Sequence, residues 1–149
     1  MREYIITSPY NILLTTLIAW FLAQTIKVFL GVLKEKRFNF KWFVGTGGMP
    51  SSHAAIVSAM TTVVGIKTGV DSVYFAIALL FAVVVLFDAQ GVRRSSGQQA
   101  EILNKILDDI YWKKRIKEDR LKELLGHTPI EVLAGMFIGI TIAFYLGPR

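Results

Sequence analysis

The strongest constraint on the fold is the first long apolar run, residues 9–33, which holds one lysine and no acidic residue. At about 1.5 Å per residue, a helix over this run can cross a hydrocarbon core about 30 Å thick. Further apolar or small-residue segments follow at 52–67, at 72–87 and from Pro129 to about Leu146. The pattern predicts an all-α integral membrane bundle of about four spans, in which the span at 72–87 is of marginal length.

The composition supports a membrane protein. Hydrophobic residues make up 53% of the 149 residues and charged residues only 19%, which is too apolar for an ordinary soluble domain. The length suits one compact unit, so residues 1–149 are expected to form a single membrane-embedded domain. The absence of cysteine excludes a thiolate nucleophile, a disulfide framework and thiolate-bound metal sites. The first run is too long for a removable signal peptide and lacks a basic start.

Lysine and arginine are distributed unequally between the two ends of the predicted spans. The connector at 34–53 carries four of them and segment 88–127 carries nine, whereas the opposite ends carry only Arg2, Lys67 and Arg149. The positive-inside rule places both basic connectors in the cytoplasm and both termini outside. The net charge of +6 is therefore expected to meet anionic headgroups, since no nucleic-acid-binding motif accompanies it.

Segment 98–125 differs from the apolar runs around it. Its apolar residues recur at helical spacing with charges between them, namely Ile102, Leu103, Ile106, Leu107 and Ile110. This periodicity predicts a cytoplasmic amphipathic helix, lying at the membrane interface or packed under the bundle.

The stretch GGMPSSHAA at residues 47–55 places polar residues directly before a small-residue helix. Pro50 stops the incoming chain, and Ser51 or Ser52 can cap the new helix, whose positive dipole end attracts an anion. Glycine at 48 lets the backbone approach that anion closely. The structural alternative is a capped helix start that happens to carry a histidine in its first turn.

A second polar stretch, DAQGVRRSSGQQAEILN at 88–104, contains the adjacent arginines Arg93 and Arg94. The planar guanidinium group matches two phosphate oxygens at once. Paired arginines after a span are also ordinary determinants of topology. The flanking glycines and the amide side chains of the stretch favour a functional role.

The third stretch, LLGHTPIEVLAGMFIG at 124–139, places His127 immediately before a predicted helix. Thr128 can cap this helix, Pro129 suits its first position, and Thr128 with Glu131 forms a capping box. Alternatively, Glu131 accepts a hydrogen bond from His127 and orients the ring as a nucleophile. The two roles are compatible.

Lys27 lies near the cytoplasmic end of the first predicted span, with Gln24 on the adjacent turn. The lysine either extends to the membrane surface or reaches the same pocket as the polar stretches and binds phosphate. The two histidines of the chain, His53 and His127, each stand at the start of an apolar helix on that same side.

At these residues the chain resembles the phosphatidic acid phosphatase type 2 superfamily, and more closely its divergent branch, related to the acid phosphatases and vanadium haloperoxidases. PSSH at 50–53 is similar to the proline-serine-glycine-histidine motif, and HTPIE at 127–131 is similar to the end of the third motif, with glutamate for aspartate. GVRR at 91–94 would supply that motif's arginine. The superfamily hydrolyses phosphomonoesters or diphosphates through a phosphohistidine without metal.

The resemblance implies that His127 attacks phosphorus and that Glu131 holds its ring. His53 protonates the leaving oxygen and then helps to activate water. The residues implied to bind the phosphoryl oxygens are Lys27, Arg93 or Arg94, Ser51, Ser52 and the amide of Gly48. No metal and no cofactor are implied.

Three features depart from the parent pattern. Arginine and histidine of the third motif are six apart in the parent family, whereas the amphipathic segment separates Arg94 from His127. The first motif's arginine-proline pair is absent, and Lys27 alone stands for its lysine. The parent enzymes usually have six spans. Loss of activity and assembly as a homo-oligomer that completes the bundle are both open alternatives.

The leading hypothesis is a lipid phosphatase of a bacterial inner membrane, acting at the cytoplasmic face on phosphatidate, phosphatidylglycerophosphate or a prenyl diphosphate. The alternative is a non-catalytic membrane protein that binds anionic lipid headgroups or scaffolds a partner. A vanadate-dependent peroxidase is a weaker hypothesis, because embedded spans suit a lipid better than a water-borne oxidant.

Overall fold

The computed structural model describes residues 10–36, 48–90, 99–104, 106–107 and 127–147. Four long helices run through these ranges: α1 (Tyr10–Glu35), α2 (Ser52–Thr68), α3 (Val73–Gln90) and α4 (Pro129–Leu146). Within the same ranges no strand occurs, so the predicted all-α bundle is confirmed. Helices α1, α3 and α4 are long and apolar enough to cross a membrane, and the 17-residue α2 packs against all three.

The helix bounds agree with the sequence pattern except at the end of α3. The apolar run ends at residue 87, but α3 continues through Asp88 and Ala89 to Gln90. Hydropathy marks where side chains leave the lipid, whereas a helix ends where its backbone hydrogen bonds end. Of the predicted amphipathic segment 98–125, residues 99–104 and 106–107 are helical, and the rest lies outside the described residues.

Helix α2 occupies the centre of the bundle because its side chains are small. Its buried residues include Ala54, Ala55, Ser58 and Ala59. Helix α1 also contacts α4, whereas α3 and α4 meet only slightly. In the described ranges, α1 and α3 do not contact each other. Small residues are typical of close helix contacts in membranes, where no hydrophobic force drives helices together.

The closest contact in the bundle joins α2 to α4. A Cβ atom added at Gly135 would collide with the carbonyl oxygen of Ser51 and lie 2.9 Å from the Cβ of Ala54. One turn further, a Cβ atom at Gly139 would collide with the carbonyl oxygen of Ala55. The two helices therefore run parallel at backbone contact, which brings their N-terminal ends together.

Both of these helices begin with a capped first turn. The Oγ of Ser51 accepts a hydrogen bond from the N–H of Ala54 at 3.3 Å. Thr128 and Glu131 form the predicted capping box at the start of α4. The N–H of Ser51 also donates to the carbonyl oxygen of Glu131 at 2.9 Å. The positive dipole ends of α2 and α4 thus lie side by side at one end of the bundle.

A tight turn joins α2 to α3 at the opposite end. Gly69 caps α2 with a φ of 86°, a left-handed conformation that favours glycine. The hydroxyl of Ser72 donates to the carbonyl oxygen of Gly69 at 2.8 Å and accepts from the N–H of Phe75 at 3.1 Å. These hydrogen bonds stabilise the turn, in which the chain reverses direction within four residues, as the sequence predicted.

Candidate active site

The two histidines meet at the shared N-terminal end of α2 and α4. His53 lies in the first turn of α2, and His127 directly precedes the cap of α4. Their ring centroids are 6.3 Å apart and the ring planes are inclined by 56°. His127 is 2% exposed. Two imidazoles this close can act on opposite sides of one small group bound between them.

Glu131 holds the ring of His127. Its Oε2 lies 3.1 Å from the Nδ1 of His127 and also accepts a hydrogen bond from the N–H of Thr128 at 3.0 Å. An ionised carboxylate is only an acceptor, so Nδ1 carries a proton, and in the neutral ring the lone pair is on the buried Nε2. A single conformation of the Glu131 side chain thus both closes the capping box and orients the ring of His127.

The backbone of His127 is fixed by α3. Its N–H donates to the carbonyl oxygen of Ala89 at 3.1 Å, at the end of that helix. Sequence reasoning did not find this contact, because every residue carries a carbonyl and no side-chain signal marks this one. The extension of α3 beyond its apolar run is what brings Ala89 to the site.

Lys27 points into the bundle from α1. Its side chain is buried, with 6% of the residue exposed, and its Nζ lies 3.5 Å from the Oγ of Ser52, the outer limit of a hydrogen bond. Its methylene stem passes beneath Gly48, where a Cβ atom would lie 3.6 Å from the Cγ of Lys27. The lysine therefore reaches the site, and the membrane-surface alternative is not adopted.

The two serines of the PSSH stretch lie in different surroundings. Ser51 is fully buried, and its Oγ and N–H are engaged with Ala54 and Glu131. The Oγ of Ser52 faces the ammonium group of Lys27. Of the two hydroxyls, that of Ser52 stands beside the cation of the site, while that of Ser51 holds the start of α2.

Two predicted site residues lie outside the described ranges, namely Arg93 and Arg94. Their roles stay predictions. Asn104, which follows the arginines in the same polar stretch, is buried in the short helical segment 99–104.

The electrostatics of the site favour an anion. Two helix N-termini and the ammonium group of Lys27 converge there, with Gly48 at a φ of 85° beside the lysine stem. A phosphoryl group is the kind of ligand that backbone amides at helix starts and a lysine bind. Among the described residues, no group of three or more histidine, aspartate or glutamate side chains is arranged to hold a metal ion.

Gly135 and Gly139 were not singled out from the sequence, although they set the approach of α2 to α4. Their four-residue spacing within an apolar helix is a recognisable signal for close helix packing. That signal does not name the partner helix, which only the structure shows.

The comparisons with known proteins agree with one another. The divergent PAP2 family matches residues 9–142, a range that includes every described site residue. A protein of Bacillus subtilis (strain 168), described as the uncharacterized membrane protein YuiD, is 41% identical over 145 residues, covering 90% of this chain and 92% of that protein. No solved structure matches this chain.

Proposed function

This chain belongs to the divergent PAP2 family, and from that premise we propose that it is a membrane lipid phosphatase acting through a phosphohistidine. The resemblance found in the motifs is confirmed at the level of the family. The observation that carries the proposal is the buried His127, held through Nδ1 by Glu131 and standing 6.3 Å from the ring of His53.

In the first step, the Nε2 lone pair of His127 attacks phosphorus, and the bond from phosphorus to the leaving oxygen breaks. His53 gives its proton to that oxygen. The carboxylate of Glu131 stabilises the positive charge that develops on the attacking ring. The 6.3 Å between the ring centroids supports this division of roles, because both imidazoles stand beside the same bound group.

In the second step, His53 takes a proton from water as the water oxygen attacks phosphorus. The bond from phosphorus to Nε2 of His127 breaks, and inorganic phosphate leaves. His53 thus acts first as the acid and then as the base. Proton transfers of this kind are worth about 100- to 10,000-fold in rate.

The phosphoryl oxygens are bound by Lys27, by the hydroxyl of Ser52 and by the amide of Gly48. Their charge grows in the transition state, so fixed cations and dipoles stabilise that state more than the substrate. The predicted contacts of Arg93 and Arg94 belong to the same set. In this arrangement, Ser51 contributes mainly by holding the helix that presents Ser52 and His53.

The substrate class follows from where the site lies. The histidine pair stands at one end of helices whose outer faces are apolar and exposed, including Leu33 of α1, Phe87 of α3 and Ile130 of α4. A phosphate presented at that depth carries an apolar tail in the membrane. We therefore propose a lipid phosphate monoester or diphosphate as substrate, cleaved at the cytoplasmic face, which is the side that the distribution of basic residues favours. The membrane proposed is a bacterial inner membrane.

The test is release of inorganic phosphate in detergent micelles with EDTA present. The substrates are phosphatidate, phosphatidylglycerophosphate and a prenyl diphosphate. Wild type is expected to release phosphate from at least one of them. His127→Ala should abolish release. His53→Ala should slow release from every substrate. With the prenyl diphosphate it should also leave an acid-labile phosphoryl group on the protein, because the phosphate leaving group departs without an acid, whereas the attack of water still lacks its base.

Thermal unfolding of each variant is the control that tests whether the bundle remains folded. If the folded protein retains anionic lipid but releases phosphate from none of these substrates, the enzyme proposal is wrong. The protein is then a membrane protein that binds lipid headgroups. Loss of release on adding EDTA would contradict the metal-free reaction. Loss of lipid retention in Lys27→Met but not in His127→Ala would support the binding role alone.

A further inference from the structure

We propose that a groove at the end of the bundle opposite the histidine pair binds an anionic phospholipid. The groove has a volume of about 820 Å³. Its apolar lining comes from three helices, with Ile12 on α1, Met60 and Val64 on α2, and Ile77, Ala78 and Phe81 on α3.

The groove exists because α1 and α3 pack on α2 but not on each other. Met60 and Val64 of α2 form its floor, and Ile12 and Ile77 stand on its two sides. Its volume falls within the roughly 300–1,000 Å³ typical of ligand sites. Because its sides belong to helices that are long and apolar enough to span the membrane, the cleft opens toward lipid.

The polar residues of the groove are confined to the ends of its helices. Lys67 and Thr68 belong to the last turn of α2, and Tyr74 belongs to the first turn of α3. An ammonium group and two hydroxyls at headgroup depth, above an apolar cleft, complement a phosphate attached to an acyl chain. This charge and depth favour an anionic phospholipid over a second copy of the chain, whose exposed helix faces are apolar.

The groove is separate from the candidate active site. Lys67 is fifteen residues beyond Ser52 on α2, which at about 1.5 Å per residue is ~22 Å along the helix. The site also lies where α2 meets α4, whereas the groove lies between α1 and α3. A lipid bound in the groove therefore occupies the leaflet opposite the headgroup of the proposed substrate.

The test is native mass spectrometry of the protein from micelles that contain equal amounts of phosphatidylglycerol and phosphatidylcholine. Wild type is expected to retain phosphatidylglycerol in preference to phosphatidylcholine. Ile77→Trp places a larger side chain in the groove and should lower this retention about tenfold or more. The matched control is Leu80→Trp, because Leu80 is on the same helix and similarly exposed, 68% against 63%, but does not line the groove. It should retain lipid like wild type.

Two charge variants test the headgroup contact and one tests the location. Lys67→Ala should remove the preference for phosphatidylglycerol, and Lys67→Arg should keep it. Lys34→Met should leave the retained lipid unchanged, because Lys34 is exposed in the last turn of α1, at the histidine end of the bundle, and belongs to neither site. Unchanged retention in Ile77→Trp, or an equal loss of retention in Lys34→Met, would overturn the proposal. A wild-type dimer that retains no lipid and becomes monomeric in Ile77→Trp would identify the groove as an interface between copies.

Discussion

The backbone N–H of Ser51 donates a hydrogen bond to the carbonyl oxygen of Glu131 across 2.9 Å, and this bond joins the starts of α2 and α4. Ser51 caps the helix that carries His53, and the Glu131 side chain holds His127. The separation of the two histidines therefore depends on how closely these helices approach each other.

Gly135→Ala is expected to disturb this separation. The added Cβ atom collides with the carbonyl oxygen of Ser51 and pushes α4 away from α2. Overpacking typically costs about 1–3 kcal/mol of unfolding free energy, and a displacement of about 1 Å at a reacting centre can cost about 100-fold in rate. Both quantities are measurable, by thermal unfolding and by phosphate release.

The matched variant is Gly139→Ala, which produces a similar collision with Ala55 one turn further from the histidines. It should lower the unfolding temperature by a similar amount but reduce phosphate release less than Gly135→Ala does. If the two variants lose activity in proportion to stability alone, Gly135 acts on folding and does not position the site.

Glu131→Gln separates the two roles of this residue. Glutamine preserves the capping box, so stability should change little, but it removes the carboxylate charge that supports the imidazolium. We expect phosphate release to fall about 100- to 10,000-fold. Thr128→Ala should do the reverse, lowering stability by about 0.5–2 kcal/mol while its N–H still positions the carboxylate. Equal effects of both variants on activity would show that Glu131 matters only as a cap.

Lys27→Met tests the cation of the site. Hydrogen bonds to charged groups are worth about 1.5–3 kcal/mol, so kcat/KM should fall about 10- to 150-fold. Stability should not fall, because methionine fills similar space and removes a buried charge. Lys34→Met is the control, since Lys34 is exposed in the last turn of the same helix. A large loss of stability with unchanged kcat/KM would assign Lys27 to the fold.

Ser51→Ala should mainly lower stability, whereas Ser52→Ala should mainly lower activity. Removal of the Ser51 cap is expected to cost about 1 kcal/mol of unfolding free energy, as for other serine caps. Removal of the Ser52 hydroxyl, which faces Lys27, should leave stability nearly unchanged and lower kcat/KM by up to about tenfold. Thermal unfolding and steady-state kinetics distinguish the two. A reversed pattern would place the phosphate at Ser51.

The helices and their starts were predictable because their signals are local. The apolar runs marked α1 and α4 to within about two residues, and the caps at Ser51 and Thr128 followed from residue type and spacing. The end of α3 was missed, since the polar residues Asp88 and Gln90 leave the lipid while the helix continues. Hydropathy indicates whether a side chain lies in lipid or in water, but it does not indicate whether the backbone hydrogen bonds of the helix continue.

By itself, the sequence determined an all-α membrane protein of the divergent PAP2 family with its polar motifs at one end of the bundle. Only the tertiary structure decided that the ring centroids of His53 and His127 lie 6.3 Å apart and that Lys27 points inward to Ser52. It also decided that α2 and α4 meet at Gly135. These relations depend on contacts between residues far apart in the chain, and the residue types alone leave open which helices pack together.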